Sequence, residues 1–141
     1  MELPIQLPIP LPTQLPIQLI DLLEKAGQLS GPYENAVIAE NNDHVVRISR
    51  MTEPYFWHLH PDSDETFLGL EGTLILELED RHIELGPGQL FTVPRGTRHR
   101  TLPAGSSSVN LTFERAGIET VQVEGPVVRA VKLLQRSEGI T

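Results

Sequence analysis

Three histidines and one glutamate stand at spacings that suit a metal site. His58 and His60 are two residues apart, and two such residues on a β-strand point to the same side of the sheet. Glu65 follows after a short turn-like segment, and His99 lies further along the chain, where a second hairpin could add it to the set. Three neutral imidazoles and one carboxylate suit Fe, Mn, Zn, Ni or Cu, and they leave coordination positions open for water or substrate.

The glycines and prolines around these residues make the pattern more specific than an isolated pair of histidines. The chain reads His58-x-His60-x4-Glu65-x6-Gly72 and then Gly88-x5-Pro94-x-Gly96-x2-His99. Over residues 54–102 this pattern resembles the two sequence motifs of the cupin superfamily, and it is similar to small single-domain cupins of the mannose-6-phosphate isomerase-like type. Thr52 and Pro103 stand where the family usually has a glycine and an asparagine, and neither position supplies a metal ligand.

The cupin resemblance implies a fold, a cofactor and an assembly. The implied fold is all-β, a double-stranded β-helix or jelly-roll barrel, here preceded by a short N-terminal helix. The implied cofactor is one divalent transition metal of open identity, bound inside the barrel by His58, His60, Glu65 and His99. Cupins are commonly homodimers, and we expect the same assembly here.

The composition limits the classes of protein to which the chain can belong. Its 141 residues suit one domain. A formal net charge of −8 argues against a nucleic-acid partner, because phosphates demand basic surfaces. The absence of cysteine excludes disulfides and thiolate metal sites. Since neither a signal peptide nor an apolar stretch of membrane-spanning length is visible, we predict a cytoplasmic protein that binds a small molecule but neither nucleic acid nor a membrane.

The sequence divides into a proline-rich arm with a helix, residues 1–32, and a barrel domain, residues 33–141. Residues 3–18 repeat the pattern Leu-Pro-Ile-Gln with variations, and the regular prolines exclude a helix there. This repeat is either an arm that docks on a partner subunit or a loose tail. Apolar spacing predicts a short amphipathic helix over residues 16–26 that stops at Gly27. About ten short strands follow, which indicate an antiparallel sandwich or barrel, and residues 127–134 add an edge strand.

Strand alternation predicts the residues that surround the metal. On the strand expected over residues 54–60, Phe56 shares the inward face with the two histidines. By the same alternation Phe67 accompanies the glutamate, and Thr101 accompanies the third histidine. These three residues are the predicted substrate pocket, which suits a small, partly apolar, oxygen-bearing ligand. Polar residues of a later strand share one face, inward or outward: Asn110, Thr112 and Glu114.

The opposite face of these first strands is apolar. It carries Tyr55, Trp57 and Leu59 on one strand and Leu68 and Leu70 on the next. A patch of this width is rarely left in water, so we expect either the predicted helix or a second subunit to cover it.

The leading hypothesis for function is a small metal-dependent enzyme. The metal would hold and polarise a substrate oxygen, and dioxygenase, isomerase, lyase and decarboxylase chemistry all remain open. The alternative is a non-catalytic barrel that binds or senses a small molecule. A metal-free sugar-nucleotide epimerase is less favoured, since it need not retain all four ligand residues. His44 and His82 stand outside the cluster and are predicted to lie on the surface.

Overall fold

A computed structural model describes residues 15–125, and within them one helix and ten strands follow one another. Their bounds are α1 (Leu22–Gln28), β1 (Tyr33–Asn41), β2 (His44–Met51), β3 (His58–Leu59), β4 (Glu65–Glu71), β5 (Leu74–Leu78), β6 (His82–Leu85), β7 (Leu90–Val93), β8 (His99–Pro103), β9 (Ser108–Arg115) and β10 (Val121–Gln122). The strands form two antiparallel five-stranded sheets, ordered β1-β2-β9-β4-β7 and β10-β3-β8-β5-β6. The all-β jelly-roll prediction with a short N-terminal helix is confirmed.

The path of the chain between the two sheets brings distant residues together. From β3 onward it moves repeatedly from one sheet to the other, because β4, β7 and β9 belong to the first sheet and the intervening strands to the second. As a result β3 pairs with β8, although some forty residues separate them in sequence, and β4 lies between β9 and β7. Both predicted metal motifs therefore reach the same end of the barrel interior.

The helix is shorter than predicted at its start and slightly longer at its end. The Asp21 carboxylate accepts a hydrogen bond from the backbone N–H of Glu24 at 3.1 Å and caps the first turn. This cap places the first helical residue at Leu22, so residues 16–20 are not helical. The helix continues through Gly27, where the prediction had ended it, to Gln28. There the Leu29 N–H donates to the Ala26 carbonyl at 3.2 Å and satisfies one of the carbonyl groups of the last turn.

Two apolar clusters hold these layers together. The first lies between the sheets and consists of Met51, Phe67, Leu74, Leu76, Leu85 and Val93. The second lies between α1 and the outer face of the first sheet and consists of Ala26, Leu29, Ile48, Val109 and Leu111. Full burial of a side chain of this kind contributes about 1.5–3 kcal/mol. Because neither cluster includes a predicted metal ligand, the barrel has sources of stability separate from the metal site.

A close approach of two backbone segments requires glycine on β4. A Cβ atom at Gly69 would lie 2.2 Å from the carbonyl oxygen of Gly86. The amide of Gly69 donates to the Gln89 carbonyl, and its own carbonyl accepts from the Gly88 amide, both within 2.9 Å. The turn before β7 is thereby fixed against the middle of β4, the strand that begins with Glu65.

Several predicted segments differ from the structure or lie outside it. The strand predicted over residues 54–60 is reduced to His58–Leu59, because residues 54–57 leave the sheet. The edge strand predicted over residues 127–134 and residues 1–14 of the arm lie outside the described residues. The boundary between arm and barrel at residue 33 stays a prediction, and the first strand begins at Tyr33. The helix within residues 15–125 falls short of the length and apolar character that a membrane span requires.

Candidate metal centre

The four predicted ligands meet at one point inside the barrel. His58 on β3 lies opposite His99 on β8, His60 follows β3 directly, and Glu65 opens β4. The exposed fractions of His58, His60, Glu65 and His99 are 4, 6, 8 and 1%. One ligand atom from each residue lies within 4.8 Å of the corresponding atoms of the other three. Two ligands on opposite sides of one ion at about 2.1 Å are about 4.2 Å apart, so small side-chain movements suffice to enclose an ion.

Backbone carbonyls orient all three imidazole rings. The Nδ1 atoms of His58, His60 and His99 lie 2.8, 3.0 and 2.8 Å from the carbonyl oxygens of Phe56, Glu119 and Thr97. A carbonyl oxygen accepts and never donates, so each Nδ1 carries the proton and donates it. In each neutral ring the Nε2 lone pair is therefore free, which is the arrangement that metal-binding histidines commonly show.

The contacts of Glu65 indicate that a cation belongs between these residues. Its Oε1 atom lies 3.2 Å from Nε2 of His60 and 3.2 Å from Nε2 of His99. A carboxylate oxygen and an imidazole lone pair repel each other unless a proton or a metal ion lies between them. Among the described residues, His60 Nε2 is also buried without a hydrogen-bond partner. A buried, converging set of three imidazoles and one carboxylate fits a divalent transition metal.

The same environment shifts the pKa values of the cluster in different directions. Burial lowers the pKa of His58 to about 4, and the neighbouring His99 adds to the shift. For His60, burial acts in the same direction, but the Glu65 carboxylate outweighs it and raises the pKa. Burial would raise the pKa of Glu65, yet its contacts with His60 and His99 hold that pKa far below its ordinary value. His58 is thus a neutral, ligand-ready imidazole at neutral pH, and Glu65 is an ionised carboxylate.

Three residues of the cluster, His58, His60 and Glu65, line a cavity of about 320 Å³ inside the barrel. Phe67 and Thr101, two of the three predicted pocket residues, line this cavity. Phe56 does not; it is 39% exposed and stacks on the ring of Tyr55, with 4.2 Å between centroids. Tyr55, which alternation had directed away from the metal, lines the cavity instead. The alternation was wrong here because residues 54–57 are not part of a strand.

One wall of the cavity is polar, and strand alternation in the sequence predicted only part of it. The structure decides the direction of the later strand, since Asn110, Thr112 and Glu114 all face the cavity. Asn35 on β1 and Arg47 on β2 also line it, and neither residue was predicted. Burial, followed by the nearby Glu65 carboxylate, raises the pKa of Glu114 to about 7. A polar residue at every second position of a strand with an apolar opposite face was the signal available in the sequence.

The remaining predictions concern the outside of the barrel. His44 and His82 are exposed, as expected. Leu59 belongs to the second sheet whereas Leu68 and Leu70 belong to the first, so they do not form the single patch that was predicted. Leu68 and Leu70 pack against the cluster under α1, which confirms the helix as their cover. The ring of Trp57 is half-buried, with the guanidinium carbon of Arg100 5.8 Å from its centroid.

Comparisons with known proteins agree with this architecture. A cupin domain is recognised over residues 49–113. The chain is 40% identical over 105 residues to the uncharacterized protein YdbB of Bacillus subtilis (strain 168), a match that spans 74% of this chain and 92% of that protein.

Two solved structures illustrate the similarity of fold. A cupin-2 domain containing protein from Shewanella frigidimarina NCIMB 400 superposes with a TM-score of 0.65 at 28% identity, over 69% of this chain and 94% of the other. The polyketide cyclase RemF from Streptomyces resistomycificus superposes with a TM-score of 0.57 at 22% identity, over 65 and 71% of the two chains, and this match concerns the fold alone. The narrower likeness to mannose-6-phosphate isomerase-like proteins stays a prediction. The chain is a small single-domain member of the cupin superfamily.

Proposed function

We propose that this protein is a metal-dependent enzyme that acts on a small, oxygen-containing molecule bound in the barrel cavity. The observation that carries the proposal is the orientation of the cluster: three Nδ1–H groups are held by carbonyls, which frees three Nε2 lone pairs beside the Glu65 carboxylate. A bound divalent metal would act as a Lewis acid on a substrate oxygen. RemF, a protein of the same fold, is a polyketide cyclase, which supports an enzymatic use of such a barrel.

The chain's own residues give the cavity its selectivity. The four cluster residues are buried, and three of them, His58, His60 and Glu65, line a cavity of about 320 Å³, a volume that suits a small molecule. Phe67 provides an apolar wall beside the cluster, and Thr101 contributes a hydroxyl group. In this arrangement Glu65 and the three histidines would hold the metal, while the surrounding walls would orient the substrate and keep bulk water away.

Metal analysis of purified protein tests the first half of the proposal. We expect close to one divalent transition metal per chain, and at least a tenfold lower content in His60→Ala and His99→Ala, because each change removes one ligand. His44→Ala and His82→Ala are matched controls, since both side chains are exposed and lie outside the cluster. Full metal content in His60→Ala and His99→Ala would contradict the proposal.

Turnover assays on the metal-loaded protein test the second half. We would follow dioxygen uptake and product formation with libraries of small hydroxy, keto and phenolic compounds. Turnover that disappears in His99→Ala and persists in His82→Ala supports the enzyme. Tight binding of a compound without any turnover would instead favour the non-catalytic binding module.

A homodimer is part of the same proposal. Ile17, Leu19 and Leu23 are 104, 97 and 62% exposed in the single chain. Three large apolar side chains so close together in sequence are unusual on an acidic protein surface, and a second subunit is the simplest cover for them.

A further inference from the structure

A continuous set of hydrogen bonds runs along the polar wall of the cavity. Arg47 Nε donates to Glu114 Oε2 at 3.0 Å, and Arg47 Nη1 donates to Asn35 Oδ1 at 3.0 Å. The Asn35 amide in turn donates to the hydroxyl of Tyr33 at 3.1 Å. These contacts join β1, β2 and β9 through side chains that all line the cavity. The Arg47 guanidinium and the Glu114 carboxylate are therefore held in fixed positions beside the space that a ligand would fill.

Part of this wall is left without partners. Glu114 Oε1 and Thr112 Oγ1 are buried, and neither has a hydrogen-bond partner within residues 15–125. The Glu114 side chain is 5% exposed, whereas that of Arg47 is 33% exposed. Buried polar atoms are nearly always paired, because leaving them unpaired opposes folding. An unpaired oxygen next to a guanidinium in an open cavity therefore indicates a group that arrives with the ligand.

The charges of the wall favour a hydroxyl group over a second carboxylate at this position. Glu114 already balances the charge of Arg47 through their 3.0 Å contact. The Glu65 carboxylate lines the same cavity, so an additional anion here would meet two carboxylates. A hydroxyl group, in contrast, can donate to Glu114 Oε1 and accept from the Arg47 guanidinium at once.

We propose that Arg47 and Glu114 recognise a hydroxyl group of the substrate while a second substrate oxygen lies at the metal centre. The inference rests on the proposed function and deepens it, since it restricts the substrate class to small hydroxylated molecules that also carry a carboxylate or carbonyl group. Arg47 and Glu114 are the specificity-determining residues, and Asn35 positions Arg47 through the contact with its Nη1 atom.

Three acids with the same carbon skeleton provide the test: propionate, lactate and glycerate, with zero, one and two hydroxyl groups. Their affinities for the metal-loaded protein would be measured by calorimetry, with metal content determined on the same samples. We expect lactate or glycerate to bind about tenfold more tightly than propionate, a usual effect of one charge-assisted hydrogen bond. Glu114→Gln and Arg47→Lys should each remove most of this gain, so that each variant binds the three acids with closely similar affinities. Two variants are used so that a folding defect in one leaves the other decisive.

Glu77→Gln and Arg100→Lys are the matched controls. These residues form a second Arg–Glu pair, with 2.5 Å between Arg100 Nε and Glu77 Oε1, and neither lines the cavity. Both controls should keep the full preference for hydroxylated acids. Equal binding of the three acids, binding of none, or an unchanged preference in Glu114→Gln and Arg47→Lys overturns the inference. A wild-type protein that holds no metal overturns the proposed function instead, and the metal analysis separates the two results.

Discussion

The barrel interior has two halves of opposite character. One half is apolar and is formed by Met51, Phe67, Leu74, Leu76, Leu85 and Val93, each no more than 5% exposed. The other half is polar and is formed by Asn35, Arg47, Ser49, Asn110, Thr112 and Glu114, which line the cavity. Phe67 and Met51 border on both. His58, His60 and Glu65 also line this cavity, and the apolar cluster contains none of the four predicted metal ligands, so the chemistry and the main packing between the sheets use different residues.

Strand β9 has one apolar face and one polar face, and both are buried. Its outer face carries Val109 and Leu111, which pack under α1, while its inner face carries Asn110 and Glu114, 1 and 4% exposed. Apolar residues on both faces would give a more stable barrel, because buried polar and charged groups lose hydration that their contacts replace only in part. Such a face is expected where a strand serves the proposed ligand, and the second apolar cluster contributes stability elsewhere.

The largest expected effect concerns the polar half. Chelation of the metal should lower the Tm of the wild-type protein by about 10 °C. The reference sample contains free metal at about a hundredfold excess over Kd, and the ion stabilises the protein because it binds the folded state and not the unfolded one. Glu65→Gln should abolish this difference, because an amide is a much weaker metal ligand than a carboxylate. Differential scanning calorimetry measures both. Glu84→Gln, an exposed control, should respond like the wild type.

If chelation shifts the Tm of Glu65→Gln as far as that of the wild type, the ion is bound elsewhere, and the polar half of the barrel loses its assigned role.

A change in the apolar half should lower the stability of the fold and leave metal binding intact. Leu76 is 0% exposed, and Leu76→Ala should lower the free energy of unfolding by about 2–5 kcal/mol through lost burial and a cavity. The variant should still bind metal with full stoichiometry below its transition temperature. Urea unfolding and metal analysis check the two statements. Leu90→Ala, at a leucine 61% exposed, should change stability by less than about 0.5 kcal/mol.

Loss of metal from folded Leu76→Ala would show that the two halves are coupled, and the separation described here would be wrong.

The sequence predicted the local part of this arrangement well. His58 and His60 are two residues apart, so their common direction followed from strand geometry alone, and cupin motif spacing linked them to Glu65 and His99. The prediction failed where geometry was not regular: Phe56 lies in residues 54–57, outside any strand, and strand alternation did not apply to it.

The polar wall depends on contacts that a sequence does not contain. Arg47 and Glu114 are 67 positions apart and meet because β2 pairs with β9. Before that pairing is known, the alternation on β9 fits an inward or an outward polar face equally well. The apolar residues Val109 and Leu111 on its other face are also buried, but they face the core under α1. A barrel with a covered outer face allows both faces of a strand to be buried.

A smaller effect concerns pH and the carboxyl group of Glu114. Burial raises its pKa from 4.5 to about 7 in the folded protein. Between these values the folded state binds a proton that the unfolded state has released, so the share of stability due to this group falls as pH rises. The stability advantage of metal-free wild-type protein over metal-free Glu114→Gln should therefore shrink from pH 4.5 to pH 7.

Urea unfolding with a chelator present gives this difference directly. His58, whose pKa is lowered to about 4, contributes with the opposite sign, because its share of stability grows as pH rises towards 6.5. Comparison of the two proteins removes the His58 contribution, which is common to both. An advantage that stays constant or grows over this range would mean that Glu114 is ionised in the folded protein throughout.

The smallest effect on stability and metal binding is expected from substitution of the exposed apolar residues before α1. Ile17→Ser combined with Leu19→Ser removes apolar surface that contacts neither half, so Tm and metal content of the folded chain should stay close to those of the wild type.

If a second subunit covers these residues, as proposed, the wild type should be a dimer at tens of micromolar and the double variant should shift towards monomer. Light scattering after size exclusion measures the mass. Leu90→Ser, at another exposed leucine outside this segment, should leave the dimer intact. A monomeric wild type at that concentration would assign Ile17 and Leu19 to a solvent-facing segment, and the two halves of the barrel would then act within a single chain.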